Sequence, residues 1–199
     1  MRLMAVSKKV PPDAVNEAVG CGLALFGESR IQEAAQKIPL CPGSIEWHMV
    51  GHLQRNKVRD AVRLFRMIHS VDSLKLLEEI EKWAAENGAT MPVLLEINVS
   101  GEASKFGMKP EDAEGVLKQC GRLMHIEVAG LMTMPPFTED PEGARAHFRK
   151  LRELRDKLRS ATGFELKELS MGMSHDFETA IEEGATFIRL GTVLFGERV

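Results

Sequence analysis

The chain has 199 residues, which is about one domain on the usual relation between length and domain number. Hydrophobic residues make up 44% and charged residues 28%, a mixture typical of a soluble globular protein. The formal net charge of -3 argues against a general nucleic-acid binder, because such proteins carry a basic excess. No apolar run approaches the roughly 18 residues of a membrane helix, and the apolar stretch at the start is too short for a signal peptide.

The sequence gives no indication of a metal site or of disulfide bonds. Cys21, Cys41 and Cys120 are far apart and odd in number, which is typical of reduced thiols in a cytoplasmic protein. His48 and His52 are four residues apart, but they fall at a strand end without a nearby carboxylate motif. We therefore expect a cytoplasmic protein without a metal and without nucleic-acid or membrane partners.

Short apolar runs alternate with helical patterns along the whole chain. The predicted strands are 3–7, 23–27, 45–51, 66–71, 93–99, 126–132, 166–171 and 186–190. The predicted helices are 11–20, 30–37, 56–64, 74–86, 110–120, 140–159 and 176–183. Prolines near helix starts and glycines after helix ends support several of these boundaries.

Strands that alternate with helices predict an α/β protein, and eight of them are the number that closes a (β/α)8 TIM barrel. A doubly wound open sheet is the competing architecture. No linker or composition shift divides the chain, so we expect a single domain over 1–199. The sequence leaves no room for a full helix after strand eight. This predicts a gap in the outer ring, to be covered by a helix before strand one, a partner chain or the short tail.

Two places at the carboxyl ends of the strands suggest chemistry. Ser174 follows strand seven, and Gly191 and Thr192 follow strand eight, where barrels of this kind often bind phosphate through backbone N–H groups and hydroxyls. The alternative interpretation is a pair of capped turns. Lys8 follows strand one on the same face as Val6, whereas Lys9 falls on the other face. Partial desolvation at the barrel mouth would favour its neutral amine, which can form a Schiff base with an aldehyde; the alternative is a solvated lysine.

A phosphate site beside a reactive lysine suggests an aldehyde that carries a phosphate, either a sugar phosphate or pyridoxal 5'-phosphate. Arg189 lies near the end of strand eight and helps to choose between them. An arginine that faces a pyridine nitrogen would keep that nitrogen unprotonated, because two positive charges repel. A cofactor held in that way would be a poor electron sink.

The sequence resembles the pyridoxal phosphate homeostasis proteins, the YggS/PROSC-type family. The matching segments are 5–8, 26–28, 47–57, 130–134, 169–176 and 188–196. The resemblance implies a barrel like the N-terminal domain of alanine racemase, with the fold-type III mode of pyridoxal 5'-phosphate binding. We also expect this barrel to lack the N-terminal helix with which the family normally begins.

The resemblance implies a role for each matching residue. Lys8 occupies the position of the family's Schiff-base lysine, Arg189 lies near the ring nitrogen, and His48 and Met171 lie close to the cofactor. The residues that hold the phosphate are Ser174, Gly191 and Thr192. Ser29 stands where the family usually has an asparagine, whose amide meets the phenolic oxygen of the cofactor. Because serine is shorter, that contact is either lost or mediated by water.

The function that these features favour is a carrier in vitamin B6 homeostasis. It would hold pyridoxal 5'-phosphate on Lys8 and release it to other enzymes, without robust catalysis of its own. The alternatives are an amino-acid racemase and, more remotely, a sugar-phosphate aldolase or isomerase. Racemases of this fold use a tyrosine from a second domain, and this chain contains no tyrosine. The expected partners are the cofactor and apo-enzymes that depend on it, with the protein as a monomer or weak homodimer.

Overall fold

A computed structural model describes residues 1–102 and 104–197 of the chain. Eight parallel strands form a closed barrel in chain order, and the first strand pairs with the last. The strands are β1 (Arg2–Val6), β2 (Leu25–Glu28), β3 (Glu46–Met49), β4 (Met67–Val71), β5 (Met91–Glu96), β6 (Ile126–Met132), β7 (Glu168–Met173) and β8 (Phe187–Leu190). The (β/α)8 barrel predicted from the sequence is confirmed, and the open doubly wound sheet is not formed.

Helices follow the strands and form the outer layer. They are α1 (Pro12–Gly20), α2 (Ile31–Lys37), α3 (Val58–Leu64), α4 (Leu74–Glu86), α5 (Ala113–Cys120), α6 (Arg145–Thr162), α7 (Phe177–Glu182) and α8 (Thr192–Phe195). Single 3-10 turns at Ile38–Leu40, Arg55–Lys57, Pro110–Asp112 and Pro141–Ala144 extend four of these connections. No helix in the described part of the chain is long and apolar enough to span a membrane.

The predicted boundaries agree with the structure to within a few residues, and β7 shows why they shift. The sequence predicts this strand over 166–171, but it spans Glu168–Met173. Leu166 has a φ of 40°, which is incompatible with an extended strand, so the strand begins only after it. The strand also ends two residues later than predicted, at Met173, which brings its carboxyl end nearer to the barrel mouth.

The predicted gap in the outer ring coincides with a cavity of about 400 Å³ between α1 and α8. Its lining residues are Ala14, Glu17, Ala18, Cys21, Leu23, Leu194 and Phe195. α8, which follows β8, is four residues long. Residues 198 and 199 of the predicted tail lie outside the described residues.

The main hydrophobic core lies between the barrel wall and the helices. Phe26 and Leu95 on the strands and Leu77 and Phe148 on the helices are fully buried members of this layer. Because side chains alternate across a strand, the residues between them face the barrel axis. Several of those inward residues are polar, including His48, and they set the chemistry of the interior.

Adjacent strands approach closely at Gly130 in β6. A Cβ atom added there would lie 1.9 Å from the backbone oxygen of Glu168, far inside any real contact distance. Gly115 on α5 is the opposite case, because a Cβ there would meet no atom within 4 Å. The two glycines therefore form a matched pair for testing the packing of the barrel.

We expect Gly130→Ala to lower the free energy of unfolding by about 1–3 kcal/mol or more, because the β6–β7 backbone must move apart. Gly115→Ala should raise it by about 0.5–1 kcal/mol, since alanine loses less conformational entropy than glycine in a helix. Urea denaturation followed by circular dichroism measures both. A Gly130→Ala protein as stable as the wild type would contradict the close approach of the two strands.

Candidate functional site

A cavity of about 280 Å³ opens at the carboxyl ends of the strands. Six of the eight residues predicted for the site line it: Lys8, Ser29, Ser174, Arg189, Gly191 and Thr192. They come from the connections after β1, β2, β7 and β8 and from β8 itself. The fold thus brings together side chains that are up to 184 positions apart in the sequence, between Lys8 and Thr192.

Lys8 lies in a turn just above the rim of the barrel. The backbone N–H of Val10 donates to the carbonyl oxygen of Ser7 at 2.9 Å and closes this turn. Val6 and Lys8 line the cavity, whereas the described lining does not include Lys9, as strand alternation predicts. Lys8 is exposed rather than partly enclosed at the barrel mouth. The reason is its position two residues past the end of β1, where the barrel wall no longer encloses it.

A buried ion pair supports the Lys8 turn from behind. Lys37 on α2 donates to Glu28 Oε1 and to the carbonyl oxygen of Ser7, both at 2.6 Å, and the Ser7 hydroxyl donates to Glu28 Oε1 at 2.7 Å. Burial raises the pKa of Glu28, while Lys37 and Ser7 oppose that shift. Glu33 accepts from Lys37 at 2.8 Å and from the backbone N–H of Lys9. The residues on both sides of Lys8 are therefore held in place.

The connections after β7 and β8 meet at Ser174. Its hydroxyl oxygen accepts the backbone N–H groups of Gly191 at 3.1 Å and Val193 at 3.4 Å. Asp176, which is buried, accepts the backbone N–H of Met173 at 2.7 Å and fixes the turn that carries Ser174. Hydroxyls and backbone N–H groups that converge in this way can hold an anion.

Arg189 enters the cavity from the barrel interior, where it is almost completely buried. Its Nη1 donates to Ser170 Oγ at 2.7 Å, and its Nη2 donates to the carbonyl oxygen of Thr133 at 2.9 Å. Burial lowers the pKa of Arg189 to about 10, while Glu96 and Asp176 oppose this shift. The guanidinium therefore remains charged at neutral pH and presents a fixed positive group at the floor of the cavity.

Glu96, at the end of β5, is a titratable group that the sequence analysis did not identify. It is buried, and its Oε2 atom has no hydrogen-bond partner among the residues that the structure describes. Burial and the nearby charge of Asp72 raise the pKa of Glu96 to about 7, against the influence of Arg189. The signal in the sequence was a lone acid at the end of the apolar run 93–96.

The rim also contains apolar and aromatic groups. Met134, Phe137, Met173 and His175 line the cavity, and Phe137 is 76% exposed. The rings of Phe137 and His175 lie 5.1 Å apart. These side chains give the cavity an apolar wall above the charged floor.

Two predicted residues, His48 and Met171, are not among the described residues that line the cavity. His48 lies on β3 inside the barrel, where its ring nitrogens contact His69 at 2.9 Å and Glu46 at 2.7 Å. Met171 belongs to the main hydrophobic core. Strand pairing is irregular between Ser170 and Met173, so Met173 rather than Met171 reaches the rim.

A larger cavity, of about 480 Å³, lies after the carboxyl end of α6. Its lining residues are Asp156, Arg159, Ser160, Gly163, Phe164 and Glu165. This end of a helix leads into the start of a strand, so the cavity is on the opposite face of the barrel from the strand ends. Because functional groups in this fold cluster at the carboxyl ends of strands, the mouth cavity is the better candidate despite its smaller volume. In the described ranges, no three His, Cys, Asp or Glu side chains come together as a metal site would require.

Comparison with known proteins gives three consistent results. The family model for the N-terminal domain of alanine racemase matches residues 1–199. The pyridoxal phosphate homeostasis protein of Aquifex aeolicus is 48% identical over 198 residues, which cover 99% of this chain and 87% of that protein. The relative from Pseudomonas aeruginosa, which has the same name, is 42% identical over 98% of this chain and 84% of its own length.

Among solved structures, the chain is similar to PipY of Synechococcus elongatus PCC7942. The form without PLP has a TM-score of 0.94 and 39% identity, and the match covers 98% of this chain and 93% of PipY. The form with PLP bound has a TM-score of 0.91 and 38% identity, with 98% and 92% covered. The fold and the sequence therefore agree over almost the full length, and the chain belongs to the pyridoxal phosphate homeostasis protein family.

Proposed function

We propose that this protein binds pyridoxal 5'-phosphate at the barrel mouth as a Schiff base on Lys8 and acts as a carrier in vitamin B6 homeostasis. The observation that supports this most directly is the arrangement of one cavity. It has an amine at its rim, a guanidinium at its floor and a hydroxyl with converging N–H groups at one side. The relatives' name and the PLP-bound form of PipY agree with this interpretation.

The cofactor fits the groups that the cavity offers. Its aldehyde condenses with a lysine amine, which forms a carbon–nitrogen double bond and releases water. Ser174, Gly191 and Thr192 would hold the phosphate, because their hydroxyl and backbone donors suit an anion. The volume of about 280 Å³ is close to the lower end of the roughly 300–1,000 Å³ typical of small-molecule sites.

Arg189 would face the ring nitrogen. A guanidinium has only donors, so it satisfies an unprotonated pyridine nitrogen and disfavours its protonated form. Ser29 lines the same cavity, and its short side chain would reach the phenolic oxygen only through water. His48 and Met171 are not among the described residues that line the cavity, so we propose no direct contact between them and the cofactor.

Two features favour a carrier over a racemase. The chain has no tyrosine to serve as the opposing acid–base group that racemases of this fold use. Lys8 is exposed, so water and incoming amines can reach its adduct and release the cofactor. We further propose that 1–199 act as one binding unit, in the cytoplasm, and that cofactor-dependent apo-enzymes are the recipients.

Lys8→Ala should abolish covalent capture of pyridoxal 5'-phosphate, whereas Lys9→Ala should retain it, because only Lys8 lines the cavity. Borohydride reduction followed by peptide mapping measures the site of the label directly. Lys9 is a matched control, since it is adjacent and also exposed. A label that persists in the Lys8→Ala protein at a single other lysine would refute the proposed attachment.

Ser174→Ala should weaken binding of pyridoxal 5'-phosphate by about 10- to 100-fold, the usual effect of losing a hydrogen bond to a charged group. Binding of pyridoxal, which lacks the phosphate, should change little. Ser160→Ala, an exposed hydroxyl on α6, provides the control. Fluorescence titration with both ligands measures the effect, and an equal loss for the two would contradict a phosphate contact.

The loaded protein should restore activity to the apo-form of a pyridoxal-phosphate-dependent aminotransferase, because the exposed adduct can be released. Incubated with L-alanine or L-serine, it should produce no sustained racemisation, as measured by chiral chromatography. Continuous turnover at an ordinary enzymatic rate would overturn the carrier function in favour of a racemase. Retention of the cofactor in the presence of excess apo-enzyme would refute release.

A further inference from the structure

A row of polar side chains crosses the barrel interior from the mouth to the opposite end. Arg189 contacts Ser170 at 2.7 Å, and Ser170 contacts His69 Nδ1 at 2.9 Å. His69 Nε2 contacts His48 Nδ1 at 2.9 Å, and His48 Nε2 contacts Glu46 Oε1 at 2.7 Å. Arg189 lines the cavity, but the other four residues of the row are not among its described lining residues. Their arrangement therefore needs an explanation of its own.

The direction of every proton in this row follows from its two ends. Glu46 can only accept when ionised, so His48 carries its proton on Nε2 and its Nδ1 accepts from His69 Nε2. His69 Nδ1 then has no proton and accepts from the Ser170 hydroxyl. Arg189 can only donate, so the Ser170 oxygen accepts from it, and the row is a single consistent chain of donors that runs from Arg189 to Glu46.

Both histidines are neutral in this arrangement. Burial lowers the pKa of His48 to about 4 and lowers the pKa of His69 well below its ordinary value. Arg189 and His48 add repulsion that disfavours a charge on His69. The positive charge of the row is therefore confined to the guanidinium at the mouth.

The rings are also fixed by packing. The ring centroid of Phe187 on β8 lies 5.7 Å from that of His48 and 5.1 Å from that of His69, and both pairs are edge-to-face. At the far end, Arg2 donates to Glu46 at 2.7 Å. Although partial burial opposes it, hydrogen bonds from Arg2 and His48 lower the pKa of Glu46 and keep this acceptor ionised. The row is therefore anchored at both ends and along its side.

We propose that Ser170 and His69 are positioning residues that orient Arg189 so that its free N–H groups face the ring nitrogen of the bound cofactor. This inference rests on the proposed function. A guanidinium has five N–H donors, and among the described residues Ser170 and the Thr133 carbonyl each accept one, so the lining residue Arg189 keeps donors for a ligand in the cavity. Without the Ser170 hydroxyl, the guanidinium loses one of the two contacts that set its plane.

The test compares two ligands, pyridoxal 5'-phosphate and its analogue in which carbon replaces the ring nitrogen. Both keep the aldehyde and the phosphate, so the ratio of their affinities isolates the contact between Arg189 and the nitrogen. We expect the wild type to prefer the natural ligand and Ser170→Ala to reduce that preference roughly tenfold. A merely structural defect would weaken both ligands equally and leave the ratio unchanged.

Ser170→Thr keeps the hydroxyl and should keep the wild-type ratio. Should Ser170→Ala fail to fold, His69→Phe removes the acceptor of the hydroxyl proton and should also lower the ratio. A folded Ser170→Ala or His69→Phe protein with the wild-type ratio would overturn the positioning role. A wild type that binds neither ligand would instead refute the proposed function, so the two failures are distinguishable.

Discussion

A buried guanidinium is the constraint on which the rest of the site depends. Arg189 cannot become neutral under physiological conditions, so the barrel interior must supply acceptors and a counter-charge. The structure does so with Ser170, the carbonyl oxygen of Thr133 and the negative potential of Glu96. Glu96 in turn becomes easier to protonate because it is itself buried. Burial therefore sets the direction of the pKa shifts of Glu96, His48 and His69, and Arg189 opposes the shift of Glu96.

Outward side chains of the strands contribute mainly to the stability of the barrel, whereas polar inward side chains contribute to the chemistry of the site. Outward side chains such as Phe26 and Leu95 form the large apolar layer against the helices, which accounts for most of the hydrophobic burial. Four inward polar side chains, His48, His69, Ser170 and Arg189, come from β3, β4, β7 and β8 and hydrogen-bond to one another across the axis. Because the outer layer stabilises the barrel, the interior can contain groups that a purely apolar core would exclude.

Strand alternation and the fixed location of active sites in barrels made much of the fold and of the candidate site predictable from the sequence. Six of the predicted residues line the mouth cavity, five of them just after a strand end and Arg189 near the end of β8 itself. The burial of individual side chains was not predictable, because it depends on where each strand ends. Lys8 lies just past the rim and is exposed, and the irregular pairing in β7 sends Met171 into the core. The row through His69 joins residues 101 positions apart, so no local pattern could reveal it.

The two ends of the cavity differ in a way that suits the proposed carrier function. Arg189 at the floor is buried and fixed, so it orients whatever binds there without adjusting to it. Lys8 at the rim is exposed, so the covalent bond that we propose on it would stay open to water and to competing amines. An enzyme would instead enclose its reactive group to exclude water and control the charge that develops there. A fixed guanidinium at the floor and an exposed amine at the rim therefore fit the proposed carrier better than they fit a racemase.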